Sequence, residues 1–266
     1  MSPCRLITLL TDFGLQDSYV AVMKGVIAGI NPQIPVIDLT HQIPPQAIAL
    51  ARFHLLTAFP YFPPGTVHVG VVDPGVGSQR RAIAVELVEG SVLVGPDNGV
   101  FGGVIQQYPV KAVVTLTNPA YWRVAEPSAT FHGRDIFAPV AAHVASGVPL
   151  SALGEPIAAQ RLIDLDLPGW QATSTGVMGV VQAIDQFGNL ITNIPAIALQ
   201  GQSWQVLWRD QIIPRATTYS DVPPGCLVAL IGSHGWLEIA CHRGNAAQQL
   251  KAVWGDTITV TWQTSG

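Results

Sequence analysis

Two hydrophobic rhythms share this chain, and the first half alternates between them. Short apolar runs at Leu6–Leu10, Val36–Leu39 and Thr66–Val72 are rich in β-branched side chains and predict buried strands. Between the first two, Val22, Val26 and Ile30 recur at four-residue spacing and predict a helix over Tyr19–Ile30, with Asp17-Ser18 as its N-cap and Asn31-Pro32 as its stop. A second helix opens at Pro44-Pro45, carries Leu50, Phe53 and Leu56, and ends at Pro60. Strand, helix, strand, helix, strand is the pattern of a parallel sheet with helices packed on it. Such sheets bind ligands beyond the carboxyl ends of their strands, where Asp12, His41 and Asp73 all fall.

Further along, Ala82–Val88 and Ser91–Val94 predict a hairpin through Glu89-Gly90, and Gly95-Pro-Asp-Asn-Gly99 turns into a short helix. A strand over Val110–Leu116 and a helix over Ile136–Ser146 follow. Periodicity then fades and glycine and proline gather, which sets the expected division: an α/β domain over 1–155, a linker over 156–175 and a second domain over 176–266. In that second domain the apolar runs Gly176–Ile184, Trp204–Trp208, Leu227–Ile231, Trp236–Ala240 and Thr257–Trp262 have no helical segments between them. The expected fold is therefore a mostly parallel central sheet flanked by helices, followed by an all-β barrel.

Composition narrows the classes of partner. Only 11% of the 266 residues are charged and 48% are hydrophobic, so the chain can bury a large core and keeps an uncharged surface suited to an oligomer interface. A net charge of −4 without a Lys/Arg cluster argues against nucleic acid as a partner. Cys4, Cys226 and Cys241 are odd in number and lack paired spacing, which fits a reducing cytoplasm. The first residues run straight into a strand without the pattern of a cleavable leader, and no apolar run reaches membrane-spanning length.

The richest stretch for chemistry is Asp73-Pro-Gly-Val-Gly-Ser-Gln-Arg80, an acid at a strand end followed by a tight turn that can fold Arg80 back onto it. Such a pair can orient a water or grip a polar substrate, or be a plain loop salt bridge. Near a helix start, Thr130-Phe-His-Gly-Arg-Asp135 offers His132 as a base or donor, or as a satisfied structural group. Dinucleotide, Walker-type and nucleophile-elbow motifs are missing. A metal site built from Asp12, Asp38, His41, Asp73, His132 and Asp135 stays open as a rival, although none of these residues has close ligand spacing.

Six ordered motifs carry a resemblance across nearly the whole chain: Thr11-Asp-Phe-Gly-Leu-Gln-Asp-Ser18, Val72-Asp-Pro-Gly-Val-Gly77, Gly95-Pro-Asp-Asn-Gly99, Thr130-Phe-His-Gly-Arg-Asp135, Ile184-Asp-Gln-Phe-Gly-Asn189 with Thr192-Asn193, and Gly232-Ser-His-Gly-Trp236 with Gly244-Asn-Ala-Ala247. The series resembles the S-adenosyl-L-methionine hydroxide adenosyltransferases, relatives of fluorinating and chlorinating adenosyl transferases. The resemblance implies that water displaces L-methionine from C5′ of S-adenosylmethionine, and that Asp73, Arg80 and His132 form the water-activating triad. Pairing with a cation weakens a carboxylate as a base while imidazole titrates near neutrality, so the expectation is that Asp73 and Arg80 hold the water and His132 shares or relays its proton. By the same resemblance Asp12 holds the ribose hydroxyls. Asp17, Asp185 and Ser233 take the methionine end, and Phe187, Asn189, Asn245 and Ala246 belong to the substrate site, the last three at the adenine edge. It also implies a homotrimer whose sites lie between neighbouring subunits, with S-adenosylmethionine as substrate and no metal or other cofactor.

Departures from the halogenating relatives point the same way. Those relatives replace the triad acid, line their halide pocket with small hydroxyl residues and insert a long loop after the triad segment. Here Asp73 is acidic, Val76 and Gly133 lack hydroxyls, and Glu89-Gly-Ser91 leaves no room for the insertion. Gln46 and His234 stand where the fluorinating relatives carry an aromatic residue and an arginine. The rival from another class is a non-catalytic sensor that binds S-adenosylmethionine or adenosine.

Overall fold

The computed structural model describes residues 6–263, so Cys4 lies outside the described residues. The chain forms two compact units, Met1–Leu165 and Asp166–Gly266.

In the first unit six strands form one mixed sheet: β1 (Ile7–Thr11), β2 (Val36–Thr40), β3 (Val67–Val71), β4 (Ala82–Leu87), β5 (Val92–Pro96) and β6 (Val110–Thr115). Their order is β2-β1-β3-β5-β4-β6. Pairings β2–β1, β1–β3 and β3–β5 are parallel, whereas β4 runs antiparallel to both β5 and β6. All residues of β1, β3 and β5 are buried, as expected for central strands covered on both faces. Helices α1 (Tyr19–Ile30), α2 (Ile48–Ala58), α3 (Gly102–Gln107) and α4 (Ala138–Ala145) pack around this sheet.

On α1 the residues Val20, Met23 and Ile27 are buried, and Met23 and Ile27 join the core cluster containing Ala138, Ala141 and Ala145 of α4. Ser18 occupies the N-cap position of α1 without making a side-chain capping bond. One departure from helical expectation matters for the site. The segment Gly133–Phe137 is a π-helical turn ahead of α4, so the helix begins earlier and wider than apolar spacing indicates. Phe137, fully buried at its end, anchors the turn in the core. Truncating such an aromatic to alanine costs about 3–5 kcal/mol.

The second unit is antiparallel throughout its named strands: β7 (Gln171–Thr173), β8 (Gly176–Ile184), β9 (Leu190–Pro195), β10 (Trp204–Trp208), β11 (Gln211–Ile213), β12 (Leu227–Ile231), β13 (Trp236–Cys241) and β14 (Thr257–Trp262). The order β11-β10-β14-β8-β9-β13-β12 is nearly closed, because Arg215 bridges to Ala229 of β12. Alternation along β10 sends Trp204, Val206 and Trp208 inward, where they meet Leu237, Ile239, Ile258 and Val260. A short helix α5 (Ala246–Leu250) sits on this barrel, capped by the Asn245 side chain on Gln248 N–H.

Candidate active site

Because β2, β1 and β3 are parallel neighbours, Asp12, His41 and Asp73 emerge at one edge of the sheet. There a cavity of about 340 Å³ is lined by Asp12, Phe13, Gln46, Asp73, Phe131 and His132, among others. Arg80 folds back over the turn after Asp73: its Nε donates to Oδ1 and Oδ2, each at 3.0 Å, and its Nη2 donates to Oδ2. The same Nη2 lies 2.6 Å from Nδ1 of His132. Both members of the ion pair are sheltered, with side chains 10% (Arg80) and 5% (Asp73) exposed, and the guanidinium rests over the Phe137 ring.

Local chemistry builds this cluster. Ser78 Oγ donates to Gly75 O at 2.6 Å and accepts from Arg80 N at 3.2 Å, tightening the turn that aims the guanidinium. Gly77 has φ +77°, and a Cβ there would lie 2.4 Å from Ala129 O. Only glycine lets the Asp73–Arg80 loop press against the loop bearing His132. That second loop is held by Asp135, which is fully buried and accepts from Arg123, Arg134 and the backbone of Ser128. Burial opposes charge on Asp135, but the hydrogen bonds from Arg134, Arg123 and Ser128 outweigh it and hold the carboxyl well below the usual range. The His132 imidazole titrates below its usual value, first because it is desolvated and then because Arg80 repels a second positive charge; Asp73 and Asp135 oppose the shift.

Beside the cluster, Asp12 Oδ2 accepts from Gln46 N at 2.8 Å, with Gln46 in a left-handed conformation at φ +67°. Asp12 is thereby oriented while Oδ1 stays available. His41 is buried and bonds through Nδ1 to Thr11 Oγ1 at 2.9 Å; its Nε2 lies 3.0 Å from Asp38 Oδ1, outside hydrogen-bond alignment. Asp17 is exposed and does not line the cavity.

The second unit has its own cavity of about 810 Å³, lined by Asp185, Phe187, Asn189, Ser233 and Asn245 together with residues that sequence reasoning missed, chiefly Tyr219 and Glu238. Asp185 organises its rim: Oδ1 accepts from Phe187 N (2.9 Å) and Asn189 N (2.8 Å), and Oδ2 from the Asn189 amide (2.9 Å). Gly188, at φ +82°, lies so close to the Asn245 side chain that a Cβ would sit 2.2 Å from it, which seats this turn against the start of α5. Phe187 is 74% exposed, whereas Ala246 is fully buried and does not line the cavity. Buried Glu238 accepts from Tyr219 Oη at 2.8 Å and faces His234 Nε2 at 3.2 Å. Burial and the adjacent carboxylate push the Tyr219 hydroxyl up to about 12.

Among the described residues no three His, Cys, Asp or Glu side chains gather to hold a metal ion. The acids of the rival metal reading are divided among other partners: Asp38 with Lys24, Asp73 with Arg80, and Asp135 with Arg123 and Arg134.

Comparison with known proteins places both halves. Residues 7–154 match the family described as SAM hydroxide adenosyltransferase N-terminal domain, and residues 179–259 match its C-terminal domain. An (R)-S-adenosyl-L-methionine hydrolase of Salinispora tropica is 40% identical over 98% of this chain and 99% of its own. A fluorinase of an Actinoplanes species is more distant, 28% identical over 96% of this chain and 97% of its own. The crystal structure of an uncharacterized conserved protein from Thermotoga maritima superposes with a TM-score of 0.91 at 38% identity, covering 96% of this chain and all of the other.

Proposed function

The chain belongs to the SAM hydroxide adenosyltransferase family, and we propose that it hydrolyses S-adenosyl-L-methionine to adenosine and L-methionine. The observation that carries the reading is Arg80 joining Asp73 to His132 in a cavity that also presents Asp12. In the reaction a water oxygen attacks C5′ from the side opposite sulfur. The C5′–S electron pair leaves with sulfur, so a sulfonium cation becomes a neutral thioether and the water gives up one proton. Since the leaving group departs uncharged, the reading calls for no metal or other cofactor. What the protein must supply is alignment, exclusion of bulk water and a proton acceptor.

Arginine has only donors, so the Arg80–His132 contact requires the imidazole to accept at Nδ1. Its proton then sits on Nε2, and His132 can donate toward a water rather than take its proton. Asp73 Oδ1 receives a single hydrogen bond from Arg80 and keeps lone-pair capacity. This supports Asp73 as proton acceptor and His132 as the group that orients the water, in place of the proton relay that residue types alone suggest. Asp12 takes the ribose hydroxyls. By the family resemblance Asp185 and Ser233 hold the methionine end, Asn189, Asn245 and the backbone of Ala246 meet the adenine edge, and Phe187 belongs to the same substrate site; Asp17, which the resemblance also puts at the methionine end, is exposed outside the first cavity.

The family resemblance and the weakly charged composition support a homotrimer in which the Asp12–Asp73 cavity of one subunit is completed by the Asp185–Asn245 cavity of its neighbour. Cys226 and Cys241 are free thiols, which supports a cytoplasmic setting, and among the described residues no helix is long and apolar enough to cross a membrane. Incubating the pure protein with S-adenosylmethionine, with and without halide, and separating the products tests the reading. Adenosine and methionine in equal amounts support it. Neither product above background leaves a binding protein, and a halogenated nucleoside makes it a halogenating enzyme.

A further inference from the structure

We propose that Asp97 and Asn98 are positioning residues for the reaction: they clamp the two ends of the Asp73–Arg80 loop and so set the geometry of the Asp73–Arg80–His132 cluster. The inference rests on the hydrolase reading for its kinetic consequences, though not for its geometry.

These two residues follow Pro96, the last residue of β5, which lies between β3 and β4 in the sheet. The catalytic loop leaves β3 through Val72 and returns to β4 through Arg81. At the exit from β3 the Asn98 amide donates to Val72 O at 2.8 Å, which fixes the peptide directly preceding Asp73. At the return, buried Asp97 accepts from Arg81 Nε at 2.8 Å and from Arg81 Nη2. Its own N–H donates to Arg81 O at 2.9 Å, which fixes the peptide between Arg81 and Ala82, one residue beyond Arg80. Asp97 is itself pinned from outside, since its Oδ1 accepts from Ile163 N at 2.9 Å. Adjacent residues of one turn therefore hold the residue before the acid and the residue after the guanidinium, neither of which itself lines the cavity.

A plain turn would need none of this. The Asn98 side chain already closes its turn by accepting from Val100 N through Oδ1, and the Nδ2 donor is spent on a different strand. A buried carboxylate matched to a guanidinium in a fork has a defined direction as well as strength. Relaxing either end lets Asp73 or Arg80 drift, and in-line attack is sensitive to displacements below an ångström or so.

The test uses the full chain. Asn98→Ser removes the donor to Val72 while keeping a side-chain oxygen for the turn, with no change of charge. Asp97→Asn weakens the grip on Arg81. Adenosine formation is followed alongside the imidazole titration of His132 by NMR in the ligand-free protein, its signal among the seven histidines identified by loss in His132→Gln. The expected result is a kcat lower by roughly tenfold or more with KM within roughly threefold. As the Arg80 contact loosens, the His132 pKa should rise by about half a unit or more. Deleting the Asp97 charge alone would lower that pKa, so a rise in Asp97→Asn reports movement of Arg80 and not lost field. An unchanged His132 titration in both variants overturns the proposal, whatever happens to melting temperature. If Asp97→Asn fails to fold, Asn98→Ser decides. If the wild-type protein makes no adenosine, the hydrolase reading falls and the titration alone judges the clamp.

Discussion

Arg80 Nη2 lies 2.6 Å from His132 Nδ1, and the guanidinium must be the donor. The fork that grips Asp73 therefore also sets the imidazole tautomer. Lysine keeps the charge but cannot reach both partners with fixed geometry. Arg80→Lys should reduce the rate of adenosine formation by about 10² while substrate affinity changes only a few fold. Single-turnover rates with equilibrium binding measure both, and a lysine variant with wild-type turnover would refute the bridging role.

On the proposed mechanism the same contact should set the pH dependence. Protonating His132 places an N–H against the Arg80 guanidinium, so the arrangement needs the neutral imidazole. Desolvation, and next Arg80, depress this pKa below 6.5. Activity is then present above the depressed value and is lost as pH falls through it. The acidic limb of kcat/KM should lie below the ordinary histidine range. A limb at or above 6.5 would contradict the assignment.

Asp12 is oriented by Gln46 N and lines the same cavity as Asp73 and His132. On the proposed role, removing its carboxylate takes away the charged acceptor for the ribose hydroxyls, an expected loss of about 1.5–3 kcal/mol. Asp12→Ala should raise KM by roughly tenfold to a hundredfold. The fall in kcat should be smaller, as steady-state kinetics would show. The reverse split would move Asp12 from binding to chemistry.

A stability prediction concerns a histidine the chemistry does not use. His68 lies in the central strand β3, buried and bonded to Thr8 Oγ1 at 2.8 Å, and burial pulls its pKa down from 6.5 to about 4. Above 6.5 both folded and unfolded chains carry it neutral, and its contribution to stability is complete. As pH falls from 6.5 toward 4 only the unfolded chain takes up the proton, so stability drops by up to about 3 kcal/mol. Urea melts across that window should show the slope, and His68→Gln should flatten it.

Local patterns made some of this legible and topology hid the rest. Asp73 and Arg80 were readable because a Pro/Gly turn joins them within one loop, and the strand–helix alternation placed Asp12, His41 and Asp73 together at strand ends. His132, 52 residues from Arg80, entered the triad only by resemblance, since no local periodicity signals that approach. The pairing of β6 with β4 depends on strand order, and the π-helical turn at Gly133–Phe137 has no apolar period of its own. Glu238 passed unnoticed because a single acid in β13 reads as an outward-facing polar position. It does point away from the core residues Leu237 and Ile239, yet Tyr219 and His234 bury it on that outer face, a contact no strand pattern signals. Strand β9 was masked by Thr192 and Asn193, which interrupt its apolar run. Asp97 and Asn98 look like ordinary turn formers until their partners across the sheet are seen.

The most direct test of the account follows the attacking oxygen. Turnover of S-adenosylmethionine in water enriched in heavy oxygen should place the label in the 5′-hydroxyl of adenosine and leave methionine unlabelled, and Asp73→Ala should abolish that incorporation while still binding substrate. Unlabelled adenosine, or full incorporation by the Asp73→Ala protein, would contradict attack by a water that Asp73 activates.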